Sequence, residues 1–385
     1  MTAPPTSISS LNARYASLLD SIDDEIHAWN GTKVTRGVDR AVATLSFWSE
    51  AAASVRIEGE DGNIESLATH RKNRHGDLED TIRASSNTAG AIAYARSAIE
   101  PARPGRTATT DHAFIQDIHT IAMQRLMPEE KLGQWRESEV DIVDHRTGRI
   151  ANSGAPASRL PATMKEWSDR YQADAWLTSH PVIRAGLAHL SFERIHPFSD
   201  GNGRTGRVLL TAMAIEDGLP AVPTAKIFEQ HRADYHSSLT DAIKTGRPDR
   251  WLDFHIEASF HAMRHLRTMA NELDTVSRVY EKAMLEQNVG KDTRHRRAIA
   301  GTLIGTPIAS DTLISRRSRV DLETIRQATS ALRSAGHLTR TETEGVSLYV
   351  ANAPLELARK PYVYQREPER GLERRSDVRT PGSER

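Results

Sequence analysis

The sequence predicts a mainly all-α protein with one short β-hairpin and a C-terminal winged helix-turn-helix. Apolar residues recur every three or four positions from Ser9 to Glu100, as in Leu11, Tyr15, Leu18, Leu19 and Ile22, which is the period of a helix with one buried face. Before residue 300 a strand-like alternation appears once, between Glu139 and Pro156. Near the C-terminus the pattern changes, and helical segments give way to alternation at Val346, Leu348 and Val350.

Taken in order, residues 1–104 read as a helical region, with a second apolar run from Ala41 to Ile57 and a breaker cluster at Pro101-Ala102-Arg103-Pro104-Gly105-Arg106. Residues 105–265 read as the core. A helix is predicted from Asp111 to Met127. Val140 and Ile142 alternate with polar residues, Thr147-Gly148 supplies a turn and Ile150 resumes the pattern, which makes a hairpin. Pro181 suits the first position of a helix because its missing N–H costs nothing there. Val208, Leu209, Leu210, Met213 and Ile215 put apolar residues on most faces of the segment Arg204–Asp217, so that helix is expected to be central. Residues 266–293 read as a connecting helix or linker. Residues 294–353 read as the winged helix, with Asp321 capping a helix to Ser334. The stretch Arg359 to Arg385 is dense in charge and poor in aliphatics, and residues 354–385 read as a disordered tail.

Composition narrows the function classes. Lys+Arg and Asp+Glu both total 51 in 385 residues, so no global field favours nucleic acid and any steering is local. There are no cysteines, which removes thiolate chemistry and suits a reducing, cytoplasmic setting. No basic-then-apolar leader and no long apolar run occurs, so no membrane association is expected.

The most informative stretch is His196-Pro197-Phe198-Ser199-Asp200-Gly201-Asn202-Gly203-Arg204-Thr205-Gly206-Arg207. A histidine accepts a proton near neutrality, which makes His196 the candidate general base. The turn Gly201-Asn202-Gly203 lets backbone N–H groups approach an anion, and the following helix aims its positive end at the same place. Asp200 offers a hard oxygen ligand suited to Mg²⁺ bridging phosphate oxygens. Arg204 and Arg207 lie three apart on one helix, so both can fork onto phosphate oxygens. Together these residues describe a triphosphate site.

Eight of the twelve residues match the H-x-F-x-[D/E]-G-N-G-R-x-x-R signature of Fic-domain enzymes, and the chain resembles that family over roughly residues 105–260. The resemblance implies a Fic helical core in which the hairpin is a flap pairing with an extended target segment. It implies transfer of AMP from ATP to a Tyr, Thr or Ser hydroxyl of a protein, self-modification included, with loss of diphosphate. In that reading His196 is the base, Phe198 anchors the loop, Asp200 holds Mg²⁺, and Gly201, Asn202 and Gly203 line the anion hole. Arg204 and Arg207 take the β- and γ-phosphates, and Tyr235 and His236 lie near the adenine. Relatives often carry two adjacent tyrosines there and an asparagine eight residues after the first, whereas this chain has Tyr235-His236 and Ile243. Transfer of UMP, phosphate or phosphocholine, and removal of AMP, stay open on sequence alone.

Upstream, Ser54 and Glu58 stand one helical turn apart and Gly59 can end their helix in a left-handed conformation. Ser54-Val55-Arg56-Ile57-Glu58-Gly59 resembles the S/T-x-x-x-E-[G/N] inhibitory motif of Fic proteins. That resemblance implies a Glu58–Arg207 pair that blocks the γ-phosphate. Residues 291–340 hold ten Lys/Arg and four Asp/Glu, with Arg316, Arg317, Arg319, Arg326 and Arg333 around the predicted recognition helix. DNA is therefore a candidate partner, and a transcription regulator using the Fic fold as a nucleotide sensor is the alternative whole-protein function. Dimerisation or target docking through the same module, and a homo-oligomer, stay open.

Overall fold

The computed structural model describes residues 8–69, 80–99, 108–144, 148–290, 292–343 and 345–363. The expected breaker cluster at 101–106, Thr147 of the predicted turn, and residues 364–385 of the predicted tail lie outside them. Four helices open the chain: α1 (Ile8–Gly31), α2 (Arg36–Ile57), α3 (Ile64–Thr69) and α4 (Asp80–Ile99). Thr35 caps α2 by accepting the Val38 N–H, and Asp111 caps α5 (His112–Met123) by accepting that of Ala113. The hairpin follows as β1 (Asp141–Asp144) and β2 (Arg149–Ser153), antiparallel with an irregularity between Ile142 and Val143.

The core is built from α6 (Leu160–Gln172), α7 (Asp174–Leu177), α8 (Pro181–Ile195), α9 (Asn202–Glu216), α10 (Thr224–Gln230) and α11 (Arg232–Thr245). As its apolar residues predict, α9 is central: Thr205 to Met213 are buried without interruption. It packs against α8, α4 and α5, while α2 lies across α10 and touches α9.

Next comes α12 (Asp249–Glu286), one unbroken helix of 38 residues. The expected boundary at residue 266 therefore falls inside a helix. The dense cluster at Trp251, Leu252, Phe254 and Ile256 narrows to a single stripe through Leu266, Met269, Leu273, Tyr280 and Met284, and a one-sided stripe is still enough to hold a helix. Residues 354–363, expected to belong to the tail, are structured instead. Helix α16 (Asn352–Arg359) packs on α2 and α12 through buried Leu355 and Ala358, and Tyr362 is buried beyond it.

Between α12 and α16 stand α13 (Thr293–Gly305), β3 (Ile308–Ala309), α14 (Asp311–Ser318), α15 (Leu322–Ser334), β4 (Leu338–Thr343) and β5 (Val346–Ala351). The three strands form an antiparallel sheet in the order β3-β5-β4. Asp321 caps α15 by accepting the Thr324 N–H. This region docks on the N-terminal helices. A Cβ added to Gly37 of α2 would lie 2.9 Å from the Gly301 Cα of α13, so α2 and α13 touch backbone to backbone. Among the described residues no helix is long and apolar enough to cross a membrane.

Candidate active site

Helix α8 ends at His196, whose backbone is left-handed at φ 54° and ψ 63°. That conformation costs a non-glycine residue roughly 1–2 kcal/mol, so something must hold it. Arg136 does: its Nε donates to the His196 carbonyl at 2.8 Å, its Nη1 to the Ser138 carbonyl at 2.7 Å, and its backbone N–H to the Pro197 carbonyl at 2.9 Å. The loop then turns inward at Phe198, which is fully buried. Its ring stacks on His119 at 3.7 Å between centroids and leans on Trp135 at 4.8 Å.

Asn202 closes the turn. Its side-chain oxygen accepts the Phe198 N–H at 2.9 Å and its amide donates to the Phe198 carbonyl at 2.8 Å. Both ends of the Asn202 side chain are thus engaged inside the loop, and the residue has only its backbone to offer an anion. What the turn offers an anion is backbone: Gly201 sits at φ 75° and α9 begins at Asn202, so the first N–H groups of α9 lack helical partners and point outward.

His119 was not evident from sequence. Its Nδ1 accepts the Gly133 N–H at 2.9 Å, which leaves Nε2 to donate to the Asp200 carbonyl at 3.0 Å. Burial lowers its pKa to about 4, so the ring is neutral and in one tautomer. His119 and Arg136 both fix backbone carbonyls of the loop, and neither belongs to its consecutive motif.

Arg204 and Arg207 are both buried, at 6% and 2% exposure. Arg207 faces α2: its Nε donates to Ser54 Oγ at 2.8 Å, and its Nη2 to the Ser54 carbonyl at 2.9 Å and to Glu58 Oε1 at 2.5 Å. Burial alone would raise the Glu58 pKa, but the charge and hydrogen bond of Arg207 outweigh it, so the carboxyl lies below its ordinary value. Glu58 is the C-cap of α2, and Gly59 follows at φ 91°. The structure thus brings together Ser54, Glu58 and Arg207. Arg204 differs: its Nη2 lies 3.5 Å from Glu60 Oε1, while its buried Nε and Nη1 have no hydrogen-bond partner among the described residues. Two unmatched donors on a buried cation are costly unless an anion meets them.

Gly203 lies against Glu58 and Arg207. A Cβ there would stand 2.6 Å from Glu58 Oε1 and 2.9 Å from Arg207 Nη1. His196 Nδ1 lies 3.4 Å from the Glu193 carbonyl. Burial, partly offset by that carbonyl, lowers the His196 pKa, which keeps the ring neutral and able to take a proton. Asp200 is exposed, with one carboxylate oxygen accepting the Gly201 N–H at 2.6 Å. Among the described residues no group of three or more His, Cys, Asp or Glu could hold a metal. An ion here would be held by Asp200 together with phosphate oxygens, a donor set that suits Mg²⁺.

Tyr235 and His236 separate. Tyr235 is 2% exposed, stacked on Phe228 at 4.7 Å, with its hydroxyl 3.1 Å from His189 Nε2. Its predicted place beside the adenine is therefore corrected: its ring belongs to the core and backs the site from behind. His236 is half-buried and adds positive potential at Glu58, while the Tyr235 side chain hydrogen-bonds Arg207. Behind the arginines lies Glu193, whose pKa burial pushes up to about 7 against the pull of Arg207.

This geometry defines a helical protein with a glycine-rich loop at the start of α9 and a Glu58–Arg207 ion pair beside it. Residues 109–214 match the model of the Fic/DOC family, and the chain carries a Fic/DOC domain. It is 34% identical over 125 residues to the protein adenylyltransferase Fic of Aedes aegypti, covering 32% of this chain and 23% of that protein. With the protein adenylyltransferase fic-1 of Caenorhabditis elegans it shares 35% over 115 residues, covering 29% and 22%. The matched region thus spans under a quarter of each of these curated relatives. A crystal structure of a Fic family protein from Desulfovibrio desulfuricans superposes with a TM-score of 0.56 at 19% identity, covering 91% of this chain and 97% of that one. Fic-1 from C. elegans gives 0.55 at 19% identity, covering 67% and 73%. These likenesses establish the fold.

Proposed function

We propose that this chain transfers AMP from ATP to a hydroxyl group of a protein, and that Glu58 holds the reaction off at rest. The observation that carries the reading is Arg204, a buried cation with two unmatched donors in the first turn of a helix, where the first N–H groups lack helical partners. A phosphate chain supplies the missing acceptors for both, and the adenylyltransferase names of the relatives point to ATP.

The chemistry follows from the positions. The acceptor hydroxyl gives its proton to the neutral His196 ring while its oxygen attacks the α-phosphorus. The bond to the bridging oxygen breaks and diphosphate leaves. Arg204 and the N–H groups at the start of α9 hold the phosphates. Mg²⁺, held by Asp200, would neutralise charge on the phosphate oxygens. For Arg207 to grip the terminal phosphate it must release Glu58, so carboxylate and phosphate compete for one guanidinium. Labelled-AMP incorporation by the parent, Glu58→Gly and His196→Ala tests this. Glu58→Gly is expected to exceed the parent and His196→Ala to incorporate nothing; a Glu58→Gly protein no more active than the parent under several divalent ions sinks the switch.

A second reading concerns residues 294–353 as a DNA-binding winged helix. One face of α15 exposes Arg326, Gln327, Ser330 and Arg333 at helical spacing, and Arg340 is exposed on β4, a set suited to phosphates and base edges. Retardation of duplex DNA that weakens steeply with salt is expected. No retardation at low salt removes this reading.

A further inference from the structure

A cavity of about 840 Å³ lies apart from the His196 loop, between the first half of α2, α4, α13 and α14. That volume falls in the range of roughly 300–1,000 Å³ typical of small-molecule sites. Six arginines line it, Arg36 and Arg40 from α2, Arg96 from α4, Arg294 and Arg297 from α13, and Arg317 from α14, against the single carboxylate of Asp39. Its existence follows from the glycine crossing. Gly37 meets Gly301, and a Cβ on Gly305 would lie 3.4 Å from the Ala41 Cα, so α2 and α13 approach closely enough for arginines of both to converge on one depression.

Part of this charge is already answered. Arg294 pairs with Asp292 at 2.9 Å, and Arg297 lies 3.8 Å from Glu281. Arg36 and Arg40 have no ion pair among the described residues. The lining is not purely charged: the Arg96 guanidinium sits 5.6 Å over the Phe47 ring, and Ala43, Ala93 and Ala298 add apolar surface. A concavity carrying one sign of charge focuses potential and concentrates ions of the other sign, and guanidinium pairs match phosphate oxygens geometrically.

We propose that this cavity binds a small molecule carrying two or more phosphate groups beside an apolar body, at a site separate from the catalytic loop. Arg36 and Arg40 grip the phosphates from helix α2, whose other end, about five turns away, carries Ser54 and Glu58. Convergence from four helices, rather than one charged face, favours a compact ligand over a nucleic-acid backbone.

Calorimetric titration of the full chain with inorganic tripolyphosphate at about 0.15 M salt tests it, comparing the parent with Arg36→Ser/Arg40→Ser and with Arg204→Ala. Arg36 and Arg40 are exposed, so the double variant is expected to melt like the parent. The expected result is an uptake that persists in Arg204→Ala, apart from whatever the catalytic loop adds in the parent, and that the double variant weakens about tenfold or more, the scale of losing charge-assisted hydrogen bonds. A double variant that titrates like the parent overturns the proposal, as does a parent that takes up no tripolyphosphate. A short DNA duplex serves as the third arm: loss of duplex binding in the double variant without tripolyphosphate uptake by the parent assigns the arginines to nucleic acid and also overturns it.

Discussion

Glu58 Oε1 lies 2.5 Å from Arg207 Nη2, and the two residues are joined across 149 positions of chain by one partly buried contact. Ser54 completes the grip, accepting Arg207 Nε at 2.8 Å through Oγ. Arg207 is therefore held from α2 at three points rather than by a lone ion pair.

Ser54→Ala removes one of those points and leaves Arg207 Nε unmatched. A hydrogen bond to a charged group contributes roughly 1.5–3 kcal/mol, and part of that loss falls on the locked state. Basal AMP incorporation is expected to rise about three- to tenfold, less than in Glu58→Gly, which removes the competing charge. Initial rates at saturating ATP check it. An unchanged rate in a protein with parental melting behaviour would place the hold on Glu58 alone.

Asn202→Ala tests the loop. Its amide satisfies both backbone groups of the fully buried Phe198, so truncation leaves a buried N–H and C=O without partners. A loss of about 2–4 kcal/mol in urea unfolding is expected, together with a fall in kcat in the Glu58→Gly background as the loop loses its shape. Stability within about 0.5 kcal/mol of the parent would show that the clasp is not what shapes the loop.

Stability should pass through a maximum with pH. Burial raises Glu50 from 4.5 to about 8 and Glu193 to about 7. Between the ordinary carboxylate range and those values the folded chain keeps protons that the unfolded chain has released, so these groups make stability fall as pH rises. Buried His119 and His255, lowered to about 4, and His189, lowered to about 3, act oppositely below about pH 6.5, where only the unfolded chain takes up their protons. The urea midpoint is expected to peak near pH 6.5 and decline toward pH 8, by up to about 1.4 kcal/mol per unit for each carboxyl. Glu50→Gln is expected to flatten the decline above pH 7. A parent whose midpoint stays level from pH 6.5 to 8 would contradict the burial argument.

Much of the site was legible because it is consecutive. Twelve adjacent residues carry the loop chemistry, and Ser54 with Glu58 follow helical spacing that survives folding unchanged. His119 and Arg136 were not legible, since each is a single residue brought to the loop by packing, with no local pattern to mark it. Tyr235 and His236 show the converse failure: adjacency in sequence placed them together, but neighbours on a helix point about 100° apart, and one faces the core. The helical fold class was readable from periodicity. The domain boundary drawn at residue 266 falls where apolar density drops while the buried stripe of α12 continues.

The central claim is that a nucleotide site is present and held closed by Glu58. Intact mass of Glu58→Gly after incubation with ATP and Mg²⁺ tests it most directly. The account predicts a gain of one AMP mass, absent when His196→Ala is added. A gain of one phosphate, or no gain while the protein remains folded, would contradict it.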